Sequence, residues 1–585
     1  MSQPGVALPP AFERALRIRL AQLDAAGFSA RLARRDAALW GPDPARQQRV
    51  AQRLGWLDIA EQMRPQTVAL RAFAAEVAGE GFSRVILLGM GGSSLAPEVM
   101  ARTLGSAAGA PQLEVLDNTS PAAVRTALTR CDPRRTFILV SSKSGTTLEV
   151  LSFERRAWEW LTAARPDAGR CVAAVTDPGT PLVELAQSRG YRRVFLNPPD
   201  IGGRFSALSL FGLVPAALMG IDLDRFLDEA IAEARQAPPG AAAQEHPGVL
   251  LGAALGELAR GGRDKLTLVL LPPFESLGSW IEQLVAESTG KEGRGIVPID
   301  EEALGEPEDY GDDRAFAAIS VGPLSEPTAG RLERLRAAGH PVITWTRPSP
   351  LSLGAEFMRW QIATATMGAL LEVDPFDEPN VSEAKQATQT LLSIPLPEVG
   401  RSRISPRARR GEIAAALPMP IAKTLESHVV DDGDPIAWAT ALPRLLEPGD
   451  YFAILAYFHA TPDRTACLGR VRAAVRRATA VATTAGYGPR YLHSTGQLHK
   501  GGANRGVFLQ LTASEGEEPI PGADYGFSAL QSAQADGDYQ VLERRQRRVL
   551  RVALGSEIDA GLNNLMTAFE AAAAASGTPH RSEQR

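Results

Sequence analysis

The chain has 585 residues, 44% hydrophobic and 22% charged, which suggests about three or four folding units of ordinary globular composition. Its net charge of −5 lacks the basic excess that a nucleic-acid backbone demands, and it would slightly repel a phosphorylated metabolite, so any phosphate site must work by local geometry. Three scattered cysteines (Cys131, Cys171, Cys467) argue against a disulfide framework or zinc knuckle, and neither a signal peptide after Met1 nor a run of the ~18 apolar residues that span a bilayer is visible.

Residues 10–80 read as helices, with apolar residues at helical spacing over Ala11–Leu23 and again over Val68–Val77. The pattern then changes. Arg84–Gly89 is a short apolar run ending in glycine, which suits a buried parallel strand. Similar runs follow at Leu113–Leu116, Thr136–Val140, Cys171–Val175 and Arg193–Leu196. Strands alternating with helices imply right-handed crossovers and a doubly wound sheet. After a connector at Gln236–Pro247, strands at Lys265–Leu271, Ala315–Val321 and Pro341–Trp345 imply a second unit of the same architecture. Residues 393–420 read as a proline-rich linker whose basic run Arg407-Ala408-Arg409-Arg410 is a solvated loop. A third α/β region follows over 421–575, with strands at Tyr451–Phe458 and Val507–Thr512 and a helix over Arg470–Ala485. The polar tail 576–585 reads as disordered. The expected fold is therefore α/β: a helical segment (1–78), two doubly wound αβα sandwiches (79–235 and 236–392) and a C-terminal α/β region.

Two loops are built to hold an anion. The first strand runs into Gly89-Met90-Gly91-Gly92-Ser93-Ser94, where glycines admit close backbone approach and a following helix aims its N-terminus. It fits neither a Walker loop nor a dinucleotide fingerprint. The third strand runs into Ser141-Ser142-Lys143-Ser144-Gly145-Thr146-Thr147, a hydroxyl-rich loop at the carboxyl end of a strand, where open α/β sheets bind ligands. Helix capping is the plainer reading of either loop alone. Arg204, after Gly202-Gly203, is placed to stabilise charge developing on oxygen, or else caps a turn. Glu287 lies near the end of an apolar-periodic helix, on a different face from Glu282, and suits a base. Out of context, Glu287 and Lys385 would be ordinary surface residues. His493 and His499 share one glycine-rich loop; with no third ligand nearby, proton transfer fits better than a metal.

Taken together these segments resemble the phosphoglucose isomerases. Gly202-Gly203-Arg204-Phe205-Ser206 is similar to one family signature and Phe376-Asp377 through Lys385 to a second. Gly91-Gly92-Ser93 and Ser142–Thr147 resemble the sugar-phosphate loops of the family's two-domain SIS fold, and Glu287-Ser288-Thr289-Gly290-Lys291 its catalytic glutamate segment. The N-terminal helices and the region after 420 look like the isomerase half of fused transaldolase–phosphoglucose isomerases. The resemblance implies a cytoplasmic enzyme of glycolysis and gluconeogenesis that interconverts glucose 6-phosphate and fructose 6-phosphate through a cis-enediol, without metal or other cofactor. It implies that Ser93, Ser142, Ser144 and Thr147 hold the phosphate, with Gly92, Lys143 and Gln283 beside the substrate. Glu287 would be the base, Arg204 the stabiliser of the enediolate, and Lys385 with a histidine would open the ring.

The chain departs from the second signature, with Glu378, Asn380 and Ser382 where Gln, Gly and Glu are usual. The family's ring-opening histidine also normally precedes the lysine. Here the nearest match, Ser494–His499, follows it, which favours His499 over His493. Two other readings share the loops. A non-catalytic sugar-phosphate sensor would not need Glu287, Arg204 and Lys385, and a dual isomerase would also accept mannose 6-phosphate. Many relatives are homodimers whose partner completes the site, which leaves the source of the histidine open.

Overall fold

A computed structural model describes residues 3–238, 240–393, 402 and 404–576. Among the described residues the strands form three sheets. The strands in chain order are β1 (Gly5–Ala7), β2 (Arg84–Leu88), β3 (Gln112–Leu116), β4 (Thr136–Ser141), β5 (Val172–Thr176) and β6 (Arg193–Leu196). They continue with β7 (Lys265–Leu270), β8 (Val297–Ile299), β9 (Arg314–Val321) and β10 (Val342–Arg347). The last six are β11 (Ala408–Arg410), β12 (Ile413–Ala416), β13 (Tyr451–Tyr457), β14 (Ala482–Tyr487), β15 (Gly506–Thr512) and β16 (Arg548–Ala553).

The first sheet is wholly parallel, in the order β3-β2-β4-β5-β6. β4 is buried at every position and β2 at all but Arg84, as expected for strands covered by helices on both faces. The chain steps from β2 outward to β3 and returns to the other side of β2 as β4. Such a reversal opens a crevice at the carboxyl ends of β2 and β4. The loops leaving those strands are the two glycine- and hydroxyl-rich segments. The second sheet runs β1-β10-β9-β7-β8 and the third β11-β12-β16-β15-β13-β14, with β13 to β16 parallel.

The predicted α/β architecture is present, with several local differences. β1 adds an antiparallel edge to β10, and its three residues are too few for periodicity. The helix expected over Arg470–Ala485 is Pro462–Thr479. The Thr461 hydroxyl caps its start, it ends at Ala480 in the left-handed region (φ 57°), and β14 follows. The basic run is not a loop: Ala408–Arg410 forms β11, joined through β12 to β16. Of the stretch read as a linker, residues 394–401 and 403 lie outside the described residues. So do residues 577–585 of the tail.

One apolar core joins the first two sheets and the N-terminal helices, and a second underlies the third sheet. A third cluster ties Ala286, Val297 and Ile299 to Tyr451, Tyr491 and Phe508, fastening the C-terminal region to the helix Leu277–Thr289. The N-terminal helices contribute Trp40 and Trp56, which pack on Phe376 and Phe205. Phe205 and Phe376 also meet, with centroids 5.2 Å apart. Each such pair adds ~1 kcal/mol beyond its buried area. The cluster therefore holds the Arg204 turn against the Asp377 turn. No helix among the described residues is long and apolar enough to cross a membrane.

Candidate active site

The loop after β4 folds on its own hydroxyls. The Ser142 and Thr147 hydroxyls lie 3.0 Å apart, and Ser142 Oγ accepts the Gly145 N–H. Ser144 Oγ accepts from the Thr146 N–H and its hydroxyl. Gly145 has φ +66° and presses on Thr180, so a side chain there would be both strained and blocked. Ser144, Thr146 and Thr147 line a cavity of about 150 Å³ whose other walls include Glu149, Lys385, His493 and Gln534. Lys143 departs from expectation. Its ammonium pairs with Asp177 and donates to the Pro199 carbonyl (3.3 Å), fixing the base of the loop instead of lining the cavity. Gly92 also has a packing role, because a Cβ there would sit 2.0 Å from the Gly203 carbonyl oxygen. Ser93, half-buried, ends the short turn Gly91–Ser93 that abuts the Gly203–Phe205 turn.

Glu287 sits in the last turn of the helix Leu277–Thr289, 6% exposed. Gly290 follows, where a Cβ would strike the Leu498 backbone, so the helix ends against the C-terminal region. Arg204, 4% exposed, meets Glu287 Oε1 at 3.1 Å. Its remaining contacts lock the guanidinium: Ser288 Oγ (3.0 Å), the Pro375 and Asp377 carbonyls (2.9 and 2.8 Å) and Glu378 Oε2 (3.1 Å). Position 378, one of the departures from the family pattern, is therefore an ion-pair partner of Arg204. Burial raises the Glu287 pKa above the ordinary carboxylate value, opposed by Arg204 and reinforced by Glu378. Lys291 is pushed down to about 8, chiefly by burial and then by Arg204. It clamps the Asp374 and Asp377 carbonyls and the Asp377 carboxylate. Gln283, one turn before Glu287, donates to Glu287 Oε2 (3.3 Å) and to the His493 carbonyl (2.6 Å).

The histidine in the cavity is His493. Its Nε2 lies 3.3 Å from Glu149 Oε1, and its Cβ would be 3.0 Å from a Cβ added to Gly91. His499 is elsewhere. It is 2% exposed, Nδ1 is 2.9 Å from the Tyr451 hydroxyl, and Tyr451 and Phe508 pack on its ring. Burial drives its pKa well below the usual imidazole value, keeping it neutral. The structure does not bring His499, favoured by the sequence, to this cavity: the short helix Gly496–Gly501 turns that side chain into the core. Glu149 is not singled out by sequence reasoning, although it closes the hydroxyl-rich loop. Burial would raise its pKa, but the His493 hydrogen bond and charge, with Lys385, bring it below the usual value. Gln534 donates to Glu149 Oε1 (2.8 Å) and accepts from the Thr119 hydroxyl (2.6 Å). It carries no signal in the sequence. Lys385, exposed on the helix Pro379–Ser393, reaches the same cavity.

Glu282 faces away from this site, into a second cavity of about 670 Å³ that Asp300, Arg490 and Ser494 also line. Burial and then Asp300 push the Glu282 carboxyl up to about 8. A raised acid contributes stability that is complete below its unfolded pKa and lost as pH rises through the folded one. The wild-type chain should therefore lose stability between about pH 4.5 and 8 relative to Glu282→Gln. Urea midpoints of the two proteins across that range measure it, and parallel curves would count against the shift.

The phosphoglucose isomerase family model matches residues 56–298, a span from the N-terminal helices through both anion loops, Arg204, Glu287 and Lys291. The glucose-6-phosphate isomerase of Rubrobacter xylanophilus is 31% identical over 372 residues, which are 55% of this chain and 85% of that protein. That of Symbiobacterium thermophilum is 31% identical over 405 residues, 60% of this chain and 90% of the relative. A crystal structure of a hypothetical protein from Thermus thermophilus superposes with a TM-score of 0.56 at 25% identity, over 66% of this chain and 100% of that one. With a buried glutamate–arginine pair set behind a hydroxyl-rich loop, the chain belongs to the phosphoglucose isomerase family.

Proposed function

We infer that the chain catalyses the reversible aldose–ketose isomerisation of glucose 6-phosphate and fructose 6-phosphate. The observation that carries this reading is the hydrogen-bonded line from Arg204 through Glu287 and Gln283 to His493, which ends at the cavity beneath the Ser144–Thr147 loop. A sensor needs only the loop. A buried carboxylate with a raised pKa beside a locked guanidinium suits proton abstraction next to a carbonyl.

The phosphate is held by the Ser142, Ser144, Thr146 and Thr147 hydroxyls and the loop's N–H groups, with Ser93 at the neighbouring turn. His493, oriented by Glu149, and Lys385 move the proton that opens the ring. Glu287 then takes the proton from C2 and returns it to C1, or the reverse. Arg204 stabilises the negative charge of the enediolate through its field, since its N–H groups are already engaged. We propose that one chain supplies all these groups, because its own His493 lines the cavity beside Glu149 and Lys385. We propose the cytoplasm as the location and, as the domain organisation, the division read from the sequence: a helical segment, two doubly wound sandwiches and a C-terminal α/β region.

The test is a coupled assay in which fructose 6-phosphate is supplied and glucose 6-phosphate is measured. Turnover by the wild-type chain is expected; well-folded protein without turnover would favour the sensor. Within the same assay His493→Ala should lower kcat by ~10²-fold or more, as for other acid–base groups. His499→Ala should lower the melting temperature and leave kcat near the wild-type value. The opposite ranking would return the ring-opening role to His499.

A further inference from the structure

Three distant segments meet at the cavity: Glu149 after β4, Lys385 on the helix Pro379–Ser393, and His493 in the turn after β14. One further helix, Phe527–Arg544, reaches all three segments: it bonds Glu149, packs on the helix Pro379–Ser393 and bonds the turn that carries His493. Gln534 and Asp538 lie four residues apart on it, hence on one face. Both are buried, at 2% and 0% exposure. Gln534 holds Glu149, as described above. Asp538 holds the His493 turn from both sides. The Tyr491 hydroxyl, two residues before His493, donates to Asp538 Oδ2 at 2.6 Å. The Lys500 ammonium, seven residues after it, lies 2.5 Å from Oδ1. Gln510 adds a longer bond to Oδ2 at 3.4 Å. Between these residues Gly537 faces Thr388, and a Cβ there would come within 3.2 Å of the Thr388 N and Oγ1, so the absence of a side chain lets the Lys385 helix close in.

A fully buried ion pair is seldom a net source of stability, because desolvation offsets the attraction. Its better-attested use is to select one arrangement among several. We propose that the Phe527–Arg544 helix is the positioning element for the ring-opening groups, with Asp538 fixing the turn that carries His493 and Gln534 fixing Glu149 opposite it. Asp538 does not line the cavity and acts only through Tyr491 and Lys500, so it is a positioning residue.

The proposal rests on the isomerase reading, and its test separates the two. Asp538→Asn is compared with wild type by kcat on fructose 6-phosphate, a cyclic sugar, and by the inhibition constant of 5-phosphoarabinonate. That acid is open-chain, and its carboxylate resembles the enediolate, so its binding does not depend on ring opening. The expected result is a ~10- to 10²-fold fall in kcat, the scale of a misplaced catalytic group, with the inhibition constant unchanged. Tyr491→Phe removes one hydroxyl and no charge, and it should show the same split in smaller degree if Asp538→Asn does not fold. An unchanged kcat in the variants would overturn the proposal. So would parallel loss of kcat and inhibitor binding, the mark of a merely structural role. Failure of the underlying reading is visible separately, as absence of turnover in the wild-type chain.

Discussion

Glu287→Gln is expected to lower kcat by ~10²-fold or more while leaving substrate binding near wild type, because the amide keeps the shape but cannot carry the proton. The carboxylate is 6% exposed and Gln283 holds one oxygen, so no bulk water is positioned to take over its role. The wild-type pH profile should carry the same signature. The base works deprotonated, so kcat/KM should fall as pH drops through a pKa that burial has raised above the ordinary glutamate value. Steady-state rates from about pH 4.5 to 8 check both points. Near-wild-type turnover by the glutamine variant would assign the proton transfer elsewhere.

Arg204→Met is expected to have a comparable effect on rate and a larger one on stability. Removing a preorganised charge beside a developing oxyanion costs ~10²- to 10³-fold in kcat. It also leaves Glu287 charged and buried without its partner, which for a broken buried pair costs about 3–5 kcal/mol. The carbonyls of Pro375 and Asp377 lose their donors at the same time. Arg204→Lys should recover little of either, because an ammonium cannot reproduce a planar fork that reaches Ser288, Glu378 and two carbonyls at once. Rates and urea midpoints for both variants measure the two effects, and full rescue by lysine would show that charge alone suffices.

The parallel strands are legible because burial on both faces leaves a continuous apolar run, as in Val85–Leu88 and Phe137–Val140. β1, β8 and β11 are three residues each and leave no pattern. β14, Ala482–Tyr487, is built of small residues after a long helix, so the helical reading runs on through it. The site is legible where chemistry is concentrated in one segment: Arg204 after its glycines, Glu287 in its helix, and the hydroxyls of Ser142–Thr147. It is illegible where residues from distant segments meet. Gln534 lies 385 positions from the carboxylate it holds, and Glu378 shares Arg204 with a residue of another segment. The choice between His493 and His499 turns on which way a six-residue helix faces, and spacing alone carries no information about that.

The central claim is that a single chain supplies every group of an aldose–ketose isomerase site, with Glu287 from the second unit and His493 from the C-terminal region. Mixing equal amounts of Glu287→Gln and His493→Ala protein, under conditions that exchange subunits, and assaying fructose 6-phosphate turnover tests it directly. The expected result is activity no greater than the sum of the two variants alone, beside a fully active wild type. Recovery of substantial turnover in the mixture would contradict the claim, because it would mean that the histidine of one chain serves the glutamate of another.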